Sequence, residues 1–148
     1  MYDYKKFKEA IESILVSPTK IVEKENIPSS DAEFTYENGI KAWVGALFVD
    51  IVDSSNLFKS PNEDTARIIR SFCSEIISIL KDDNNYREIG IRGDCVYCIY
   101  NAPYQTDLVY IFRHAYRINS FMGMLNKLLK KNGYSTIRAG IGLGYSQI

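Results

Sequence analysis

Apolar residues in this chain recur with two different spacings, and the two spacings alternate along the sequence. Apolar residues three or four positions apart are typical of amphipathic helices, whereas β-branched or aromatic runs and strict alternation are typical of strands. In chain order these patterns predict a helix over Tyr4–Leu15, a strand over Lys41–Val52, a helix over Asn62–Leu80, strands over Tyr86–Arg92 and Cys95–Tyr100, a helix over Asp107–Lys131 and a strand over Ser135–Ile148. After the leading helix the order is β-α-β-β-α-β, which predicts an α+β protein with the ferredoxin-like, or split βαβ, arrangement.

Polar and turn-forming residues separate these elements. The stretch Glu23–Gly39 is polar and is predicted to be a loop, and Asn132-Gly133 has the composition of a helix C-terminus. We therefore expect an N-terminal helix and loop over residues 1–40, followed by one folded domain over residues 41–148.

Composition and charge narrow the classes of protein. The 148 residues are 46% hydrophobic, which is sufficient for one domain with a core. The 18 basic and 18 acidic residues give a net charge of zero, which argues against a general nucleic-acid-binding or membrane-binding surface. No secretory signal and no apolar run long enough to span a bilayer is recognisable. The three cysteines show no disulfide framework spacing, which predicts a reducing, cytoplasmic setting.

Two acidic residues lie where predicted strands end. An apolar run closes on Asp50, and Gly93-Asp94 is a hairpin turn signal between the two middle strands. In the split βαβ arrangement the first strand lies beside that hairpin, so Asp50 and Asp94 are expected to face each other. Two converging carboxylates at a sheet edge are unfavourable without a positive charge between them. Because carboxylate and carbonyl oxygens suit Mg²⁺ or Mn²⁺, the pair predicts a divalent cation site.

Each of these residues also has an ordinary structural interpretation. Asp50 could cap the helix that follows its strand, and Asp94 could be a simple turn residue. Asp53 is better explained as a helix N-cap than as a third metal ligand. Arg92 could form a surface ion pair, for example with Glu88.

At these motifs the chain resembles the class III nucleotidyl cyclases. Phe48–Ile51 is similar to the end of that family's first metal-binding strand. Gly93–Cys98 is similar to its second metal-binding hairpin, and Arg138–Gly142 to the strand that follows its second helix. The resemblance runs from about Lys41 to the end of the chain, with the motifs in the family's order.

The resemblance implies an enzyme that converts a nucleoside triphosphate to its 3′,5′-cyclic monophosphate and pyrophosphate. Two metal ions, Mn²⁺ or Mg²⁺, would be held by Asp50, Asp94 and the backbone carbonyl of Ile51, with the two acids as catalytic residues. The substrate phosphates would be held by backbone N–H groups of Val52, Asp53, Ser54 and Ser55. Because the sites of this family form between two subunits, a homodimer is implied.

Three positions depart from the family pattern. Purine cyclases of the family carry a base-reading Lys or Glu three residues before the hairpin glycine, where this chain has Gly90. Arg92 instead offers several hydrogen-bond donors near the pocket, which would suit the carbonyl oxygens of uracil or cytosine. The family commonly has Gly where this chain has Asp53. The family's transition-state Asn and Arg lie beyond the final strand, so we expect the C-terminal part of the domain to be missing after Ile148.

The first departure resembles the pyrimidine cyclases of bacterial anti-phage (Pycsar) systems. That resemblance implies a cytoplasmic enzyme acting on UTP, or next on CTP, whose cyclic product is a second messenger for a separate effector. One alternative is an adenylate or guanylate cyclase with an unusual base pocket. Another is a non-catalytic cyclase-like domain that binds nucleotide or regulates a partner. A diguanylate-cyclase-like domain is disfavoured because the hairpin lacks a Gly-Gly-acidic run.

Overall fold

The structure is a computed structural model that describes residues 3–29, 38–57, 59 and 62–148. Its elements are α1 (Tyr4–Val16), β1 (Lys20–Glu23), β2 (Asn38–Lys41), β3 (Trp43–Ile51), α2 (Ser54–Leu57), α3 (Glu63–Leu80), β4 (Tyr86–Arg92), β5 (Cys95–Asn101), α4 (Gln105–Lys131) and β6 (Ala139–Gln147). The predicted α+β class and the β-α-β-β-α-β order are confirmed by β3, α3, β4, β5, α4 and β6.

These core strands form one antiparallel sheet in the order β4-β5-β3-β6. The first core strand, β3, therefore pairs with the second strand of the hairpin on one side and with the last strand on the other. This order is the ferredoxin-like arrangement, and it brings the end of β3 beside the β4–β5 turn.

One face of the sheet carries the core and the other face is open. Leu47, Val49 and Ile51 of β3 point to the core side, where α3 and α4 cover them. The alternate residues of the same strand point the other way, and Phe48 is 45% exposed. We call this second side the open face; its residues on the paired strands are Glu88, Gly90, Arg92, Cys95, Tyr97, Ile99, Ala46, Phe48, Asp50, Gly140, Gly142 and Gly144.

The two covering helices have clear sequence determinants. Asn62 caps α3 by accepting a hydrogen bond from the backbone N–H of Thr65 (2.9 Å), and acidic residues fill the first turn of that helix. At α4, the Asp107 carboxylate accepts from the Tyr104 backbone N–H (2.8 Å). Lys130 and the following lysine lie in the last turn of α4, where positive charge is favourable.

The final strand begins later than the alternation predicted. The carboxamide of Asn126 on α4 donates to the Ile137 carbonyl (2.8 Å) and accepts from the Ile137 N–H (2.9 Å). Both backbone groups of Ile137 are thereby bonded to a side chain, so the ladder with β3 starts only at Ala139.

The N-terminal region differs more from the prediction. Lys20–Glu23 forms a short strand that pairs in parallel with Asn38–Lys41, although residues from Glu23 to Gly39 were predicted to be a loop. Residues 30–37 of that segment lie outside the described residues. β2 spans the predicted boundary between residues 1–40 and 41–148. The division of the chain at that boundary stays a prediction.

The leading helix forms as predicted, but its apolar stripe is not buried. α1 has no buried residue, and Ile11 and Ile14 are 55% and 42% exposed. Among the helices of the described ranges, none combines the length and the hydropathy that crossing a bilayer requires.

Candidate active site

The sheet brings Asp50 and Asp94 together. Asp50 is the penultimate residue of β3 and pairs with Cys95 of β5 and Gly140 of β6. Asp94 immediately precedes Cys95 in the two-residue hairpin turn. Gly93, the first turn residue, has a φ of +66°, which glycine adopts without steric cost.

The pairing of Asp50 with Cys95 places Asp50 beside Asp94, and each carboxyl group affects the other's surroundings. Loss of surrounding water, the charge of Asp94 and a hydrogen bond between the two side chains all raise the pKa of Asp50, against a smaller lowering by the Ile51 backbone. One carboxylate oxygen of Asp94, Oδ2, is buried and has no hydrogen-bond partner among the described residues. A buried, unpartnered carboxylate oxygen is costly unless a cation or donor completes it.

The donor set fits a hard divalent cation. The side chain of Ile51 is buried in the core, so this residue can contribute only its backbone carbonyl. In the described part of the chain, no group of three or more His, Cys, Asp or Glu side chains is arranged to hold a metal ion. A cation between Asp50 and Asp94 would therefore complete its shell with backbone, water and substrate oxygens, which is how Mg²⁺ is usually held at phosphate-transfer sites.

A turn follows the first acid and leads into the short helix α2. Asp53 has a φ of +59°, and its carbonyl accepts a hydrogen bond from the Asn56 N–H (3.0 Å). The Asp53 carboxylate lies 3.4 Å from the guanidinium of Arg138, so its side chain takes an ion-pair partner at this turn. The N–H of Val52 donates to the Arg138 carbonyl (2.9 Å). Ser54 and Ser55 are the first two residues of α2, where backbone N–H groups have no intrahelical acceptor.

Arg92 lies on the open face at the end of β4. With Phe48, Cys95, Tyr97 and Ile99 it lines a depression of about 410 Å³. We call this depression the open-face pocket. The alternative ion pair with Glu88 is not found among the described contacts, because the Glu88 carboxylate instead accepts a hydrogen bond from the Tyr97 hydroxyl.

Comparison with known proteins supplies a second, independent line of evidence. No protein-family model matches the chain. A uridylate cyclase from Treponema porcinum is 44% identical over 147 residues, which cover 99% of this chain and 51% of that protein. A uridylate cyclase from Gulbenkiania mobilis is 28% identical over 154 aligned residues, covering 99% of this chain and 59% of that protein. The chain thus spans about half the length of the curated relatives it matches.

Solved structures show the same fold. A class III adenylyl cyclase-like ATP-binding protein from Pseudomonas aeruginosa matches with a TM-score of 0.66 and 18% identity, over 97% of this chain and 33% of that one. The guanylyl cyclase Cya2 matches with a TM-score of 0.64 and 14% identity, over 72% of this chain and 55% of that one. The chain therefore has the fold of these cyclases, and its sequence is similar to proteins named uridylate cyclase.

One residue near the candidate site, Arg138, was not predicted from the sequence to be a site residue. Arg138 was noted only as part of a strand motif, yet its guanidinium lies at the Asp53 turn. Arg138 and Asp53 line the same depression of about 360 Å³, next to the end of β3. The pairing of Ile51 with Ala139 places the preceding residue, Arg138, beside the Asp53 turn, and a single sequence does not reveal this register.

Proposed function

We propose that this chain is the metal-binding and substrate-binding part of a cyclase that acts on a pyrimidine nucleoside triphosphate, UTP before CTP. The products are the 3′,5′-cyclic monophosphate and pyrophosphate. The observation that carries this proposal is the strand pairing that places Asp50 beside Asp94, whose Oδ2 is buried and has no hydrogen-bond partner among the described residues. The 44% identity to a protein named uridylate cyclase supports the choice of base.

The two acids and the Ile51 carbonyl hold two Mn²⁺ or Mg²⁺ ions in this proposal. When bound, such ions lower the pKa of a coordinated hydroxyl, here the ribose 3′-hydroxyl, and neutralise phosphate charge. Asp50 and Asp94 would hold the ions at the end of β3, beside the turn that would receive the phosphates. Because the ions relieve the mutual repulsion of the two carboxylates, metal binding also stabilises the fold.

The phosphate chain lies at the Asp53 turn in the same proposal. The N–H groups of Asp53, Ser54 and Ser55 supply donors, whereas the Val52 N–H already donates to the Arg138 carbonyl. The Arg138 guanidinium, 78% exposed, supplies positive charge. Arg92 donates to carbonyl oxygens of the base from the rim of the open-face pocket.

The open face supports assembly as a homodimer, because apolar residues on it are exposed to solvent, whereas helices cover the other face of the sheet. By resemblance to anti-phage pyrimidine cyclases, we assign the cyclic product the role of a second messenger that acts on a separate effector.

The decisive experiment offers all four nucleoside triphosphates together with Mn²⁺ to the longest form of the protein and identifies cyclic products by mass. Asp50→Asn and Asp94→Asn are expected to abolish product. Asp64→Asn is the matched control, because Asp64 is an exposed acid in the first turn of α3, away from the site. Cyclic UMP or cyclic CMP as main product supports the proposal. Cyclic AMP or cyclic GMP overturns the base assignment, and nucleotide binding without any product favours a non-catalytic binding domain.

A further inference from the structure

Gly90, on the open face of β4, has no room for a side chain. A Cβ atom built on Gly90 would lie 2.5 Å from both Cζ and the hydroxyl oxygen of Tyr97, and 2.6 Å from its Cε1. Gly90 and Tyr97 are directly paired across the two strands. The phenol of Tyr97 therefore fills the space that a side chain at position 90 would occupy.

Two further contacts, one with a ring and one with a carboxylate, position the Tyr97 side chain. Its ring stacks on Phe48 of β3, with ring centroids 6.1 Å apart and an interplanar angle of 25°. Its hydroxyl donates a hydrogen bond to the Glu88 carboxylate, two residues before Gly90 on the same strand and face. This hydrogen bond raises the pKa of the Tyr97 hydroxyl, so the phenol stays a neutral donor at physiological pH. The Tyr97 side chain is thus positioned by a neighbouring backbone, a ring and a hydrogen bond.

The Tyr97 side chain lines the open-face pocket. The other lining side chains include two apolar surfaces, Phe48 and Ile99, and one guanidinium, Arg92. Flat apolar surfaces with a few polar groups at the rim suit a planar heterocycle. Because the Tyr97 proton is committed to Glu88, its oxygen presents lone pairs that can accept a hydrogen bond, while Arg92 presents donors.

We propose that Tyr97, held over Gly90 by Glu88, is the specificity-determining residue that limits the open-face pocket to a single-ring base. This inference rests on the proposed function, in which the ligand is a pyrimidine nucleoside triphosphate. A purine adds a second fused ring, and the phenol occupies the space in which that ring would lie. Tyr97 contacts the base, whereas Glu88 positions Tyr97.

The test measures the affinity of UTP and of ATP, each with Mn²⁺, for the wild-type protein and for Tyr97→Ala. The ratio of ATP to UTP dissociation constants is expected to fall by roughly tenfold or more in Tyr97→Ala, the scale of steric discrimination in binding pockets. Tyr97→Phe keeps the ring and loses the Glu88 hydrogen bond, so its ratio is expected to fall between the two. Tyr116→Ala is the matched control, because Tyr116 is 72% exposed on α4 and lies on the covered side of the sheet.

The claim that Tyr97 fills the space at position 90 can also be tested without nucleotide. Gly90→Ala is expected to destabilise the wild-type protein and to have a much smaller effect in the Tyr97→Ala background, a coupling that a double-mutant cycle detects by thermal unfolding. Additive effects of the two substitutions would overturn the claim that Tyr97 fills the space at position 90. Tyr97→Leu replaces Tyr97→Ala in both experiments if the alanine variant does not fold.

The outcomes separate this inference from the proposed function. A wild-type protein that binds ATP as tightly as UTP overturns the pyrimidine assignment and with it the role of Tyr97. A wild-type preference for UTP that is unchanged in Tyr97→Ala overturns only the role of Tyr97. A preference for UTP that relaxes in Tyr97→Ala and not in Tyr116→Ala supports both.

Discussion

At the scale of single residues, Asp53 is unusual in both conformation and charge. It is the one described non-glycine residue with a positive φ, and it lies in the turn proposed to bind phosphate. Aspartate tolerates the left-handed conformation better than most residues, and glycine adopts it freely. The Asp53 carboxylate pairs with Arg138, the cation of the same turn. In the proposed function, this negative charge would compete with the substrate phosphates for Arg138.

Replacing Asp53 by Asn is expected to strengthen nucleotide binding. Asparagine keeps the tolerance for positive φ while removing the competing charge, and the gain should be about 0.5–1 kcal/mol, as for an exposed ion pair. Titration with Mn²⁺-UTP at low and moderate salt checks this, and the gain should shrink as salt screens the charges. Weaker binding by Asp53→Asn would mean that the ion pair orients Arg138 for the ligand.

A second residue-scale prediction concerns the two metal acids. Because its folded-state pKa is raised, Asp50 contributes stability below its usual pKa of 3.8, and that contribution is lost as pH rises through the folded pKa. At neutral pH and without metal, Asp50→Asn and Asp94→Asn should consequently be at least as stable as the wild type. Addition of Mn²⁺ should raise the unfolding temperature of the wild type and not of either variant.

Thermal unfolding with EDTA and with Mn²⁺ measures both effects, with Asp64→Asn as the control that should behave like the wild type. A marked loss of stability in metal-free Asp94→Asn would assign Asp94 a structural role in the turn instead of a ligand role.

At the scale of elements, the β4–β5 turn positions Asp94 through Gly93. An alanine at a left-handed position costs roughly 1–2 kcal/mol, and no atom near Gly93 would otherwise obstruct a methyl group. Gly93→Ala is expected to reduce the free energy of unfolding by about that amount and to weaken Mn²⁺ binding, because the turn that carries Asp94 must adjust.

Gly133 provides a matched comparison for this prediction. It also has a positive φ (+80°) and open space around it, but it follows α4 and does not belong to the turn that carries either acid. Gly133→Ala should show a similar loss in denaturant unfolding with normal Mn²⁺ affinity. Equal losses of Mn²⁺ affinity in both variants would show that the effect of Gly93→Ala reflects general destabilisation.

The elements that were predicted correctly are those whose periodicity and end residues lie within the element's own stretch of sequence. α3 and α4 carry long helical periodicity with end signals, and Gly93-Asp94 between two apolar runs predicts the hairpin and hence the neighbourhood of Asp50. The parallel pair of β1 and β2 was missed because its strands have four residues each and polar flanks, and their pairing is set by tertiary contacts. The late start of β6 depends on the Asn126 carboxamide, a side chain on another element.

The parts of the candidate site that escaped prediction likewise depend on register. Arg138 reaches the Asp53 turn only because β6 pairs with β3, and Glu88 meets Tyr97 instead of Arg92 because of the β4–β5 pairing. Position 90 was recognised from sequence as lacking a base-reading side chain. That a tyrosine from the neighbouring strand fills its space is visible only in three dimensions.

At the scale of the whole molecule, the core contains a buried His–Tyr pair. His114 is the only histidine of the chain and is 2% exposed, with its Nδ1 2.9 Å from the Tyr100 hydroxyl. Burial lowers the pKa of His114, partly opposed by Asp83 and Asp82, while Arg117 and Arg113 lower it further. The unfolded chain therefore takes up the proton first as pH falls below 6.5.

This pair predicts a loss of stability in mild acid. The free energy of unfolding should decrease from about pH 7.5 to about pH 5.5, with a slope of at most about 1.4 kcal/mol per pH unit for one proton. Denaturant unfolding in the Asp50→Asn background, which removes the opposite contribution of Asp50, measures the slope. His114→Gln should flatten it, and a folded protein whose single imidazole titrates near 6.5 by NMR would contradict the prediction.

The open face gives the last prediction, because the proposed homodimer would cover its exposed apolar residues with a second subunit. Gly142 lies on that face opposite Phe48, and a Cβ there would meet no atom within 4 Å. Gly142→Lys should therefore fold normally, but its charge would have to be buried if a second copy covers the face. We expect this variant to be monomeric by light scattering and to bind Mn²⁺ as the wild type does, while losing cyclase activity. Gly123→Lys, at an exposed position of α4 with the same open surroundings, should leave assembly unchanged. A dimeric Gly142→Lys protein would place the subunit interface elsewhere on the molecule.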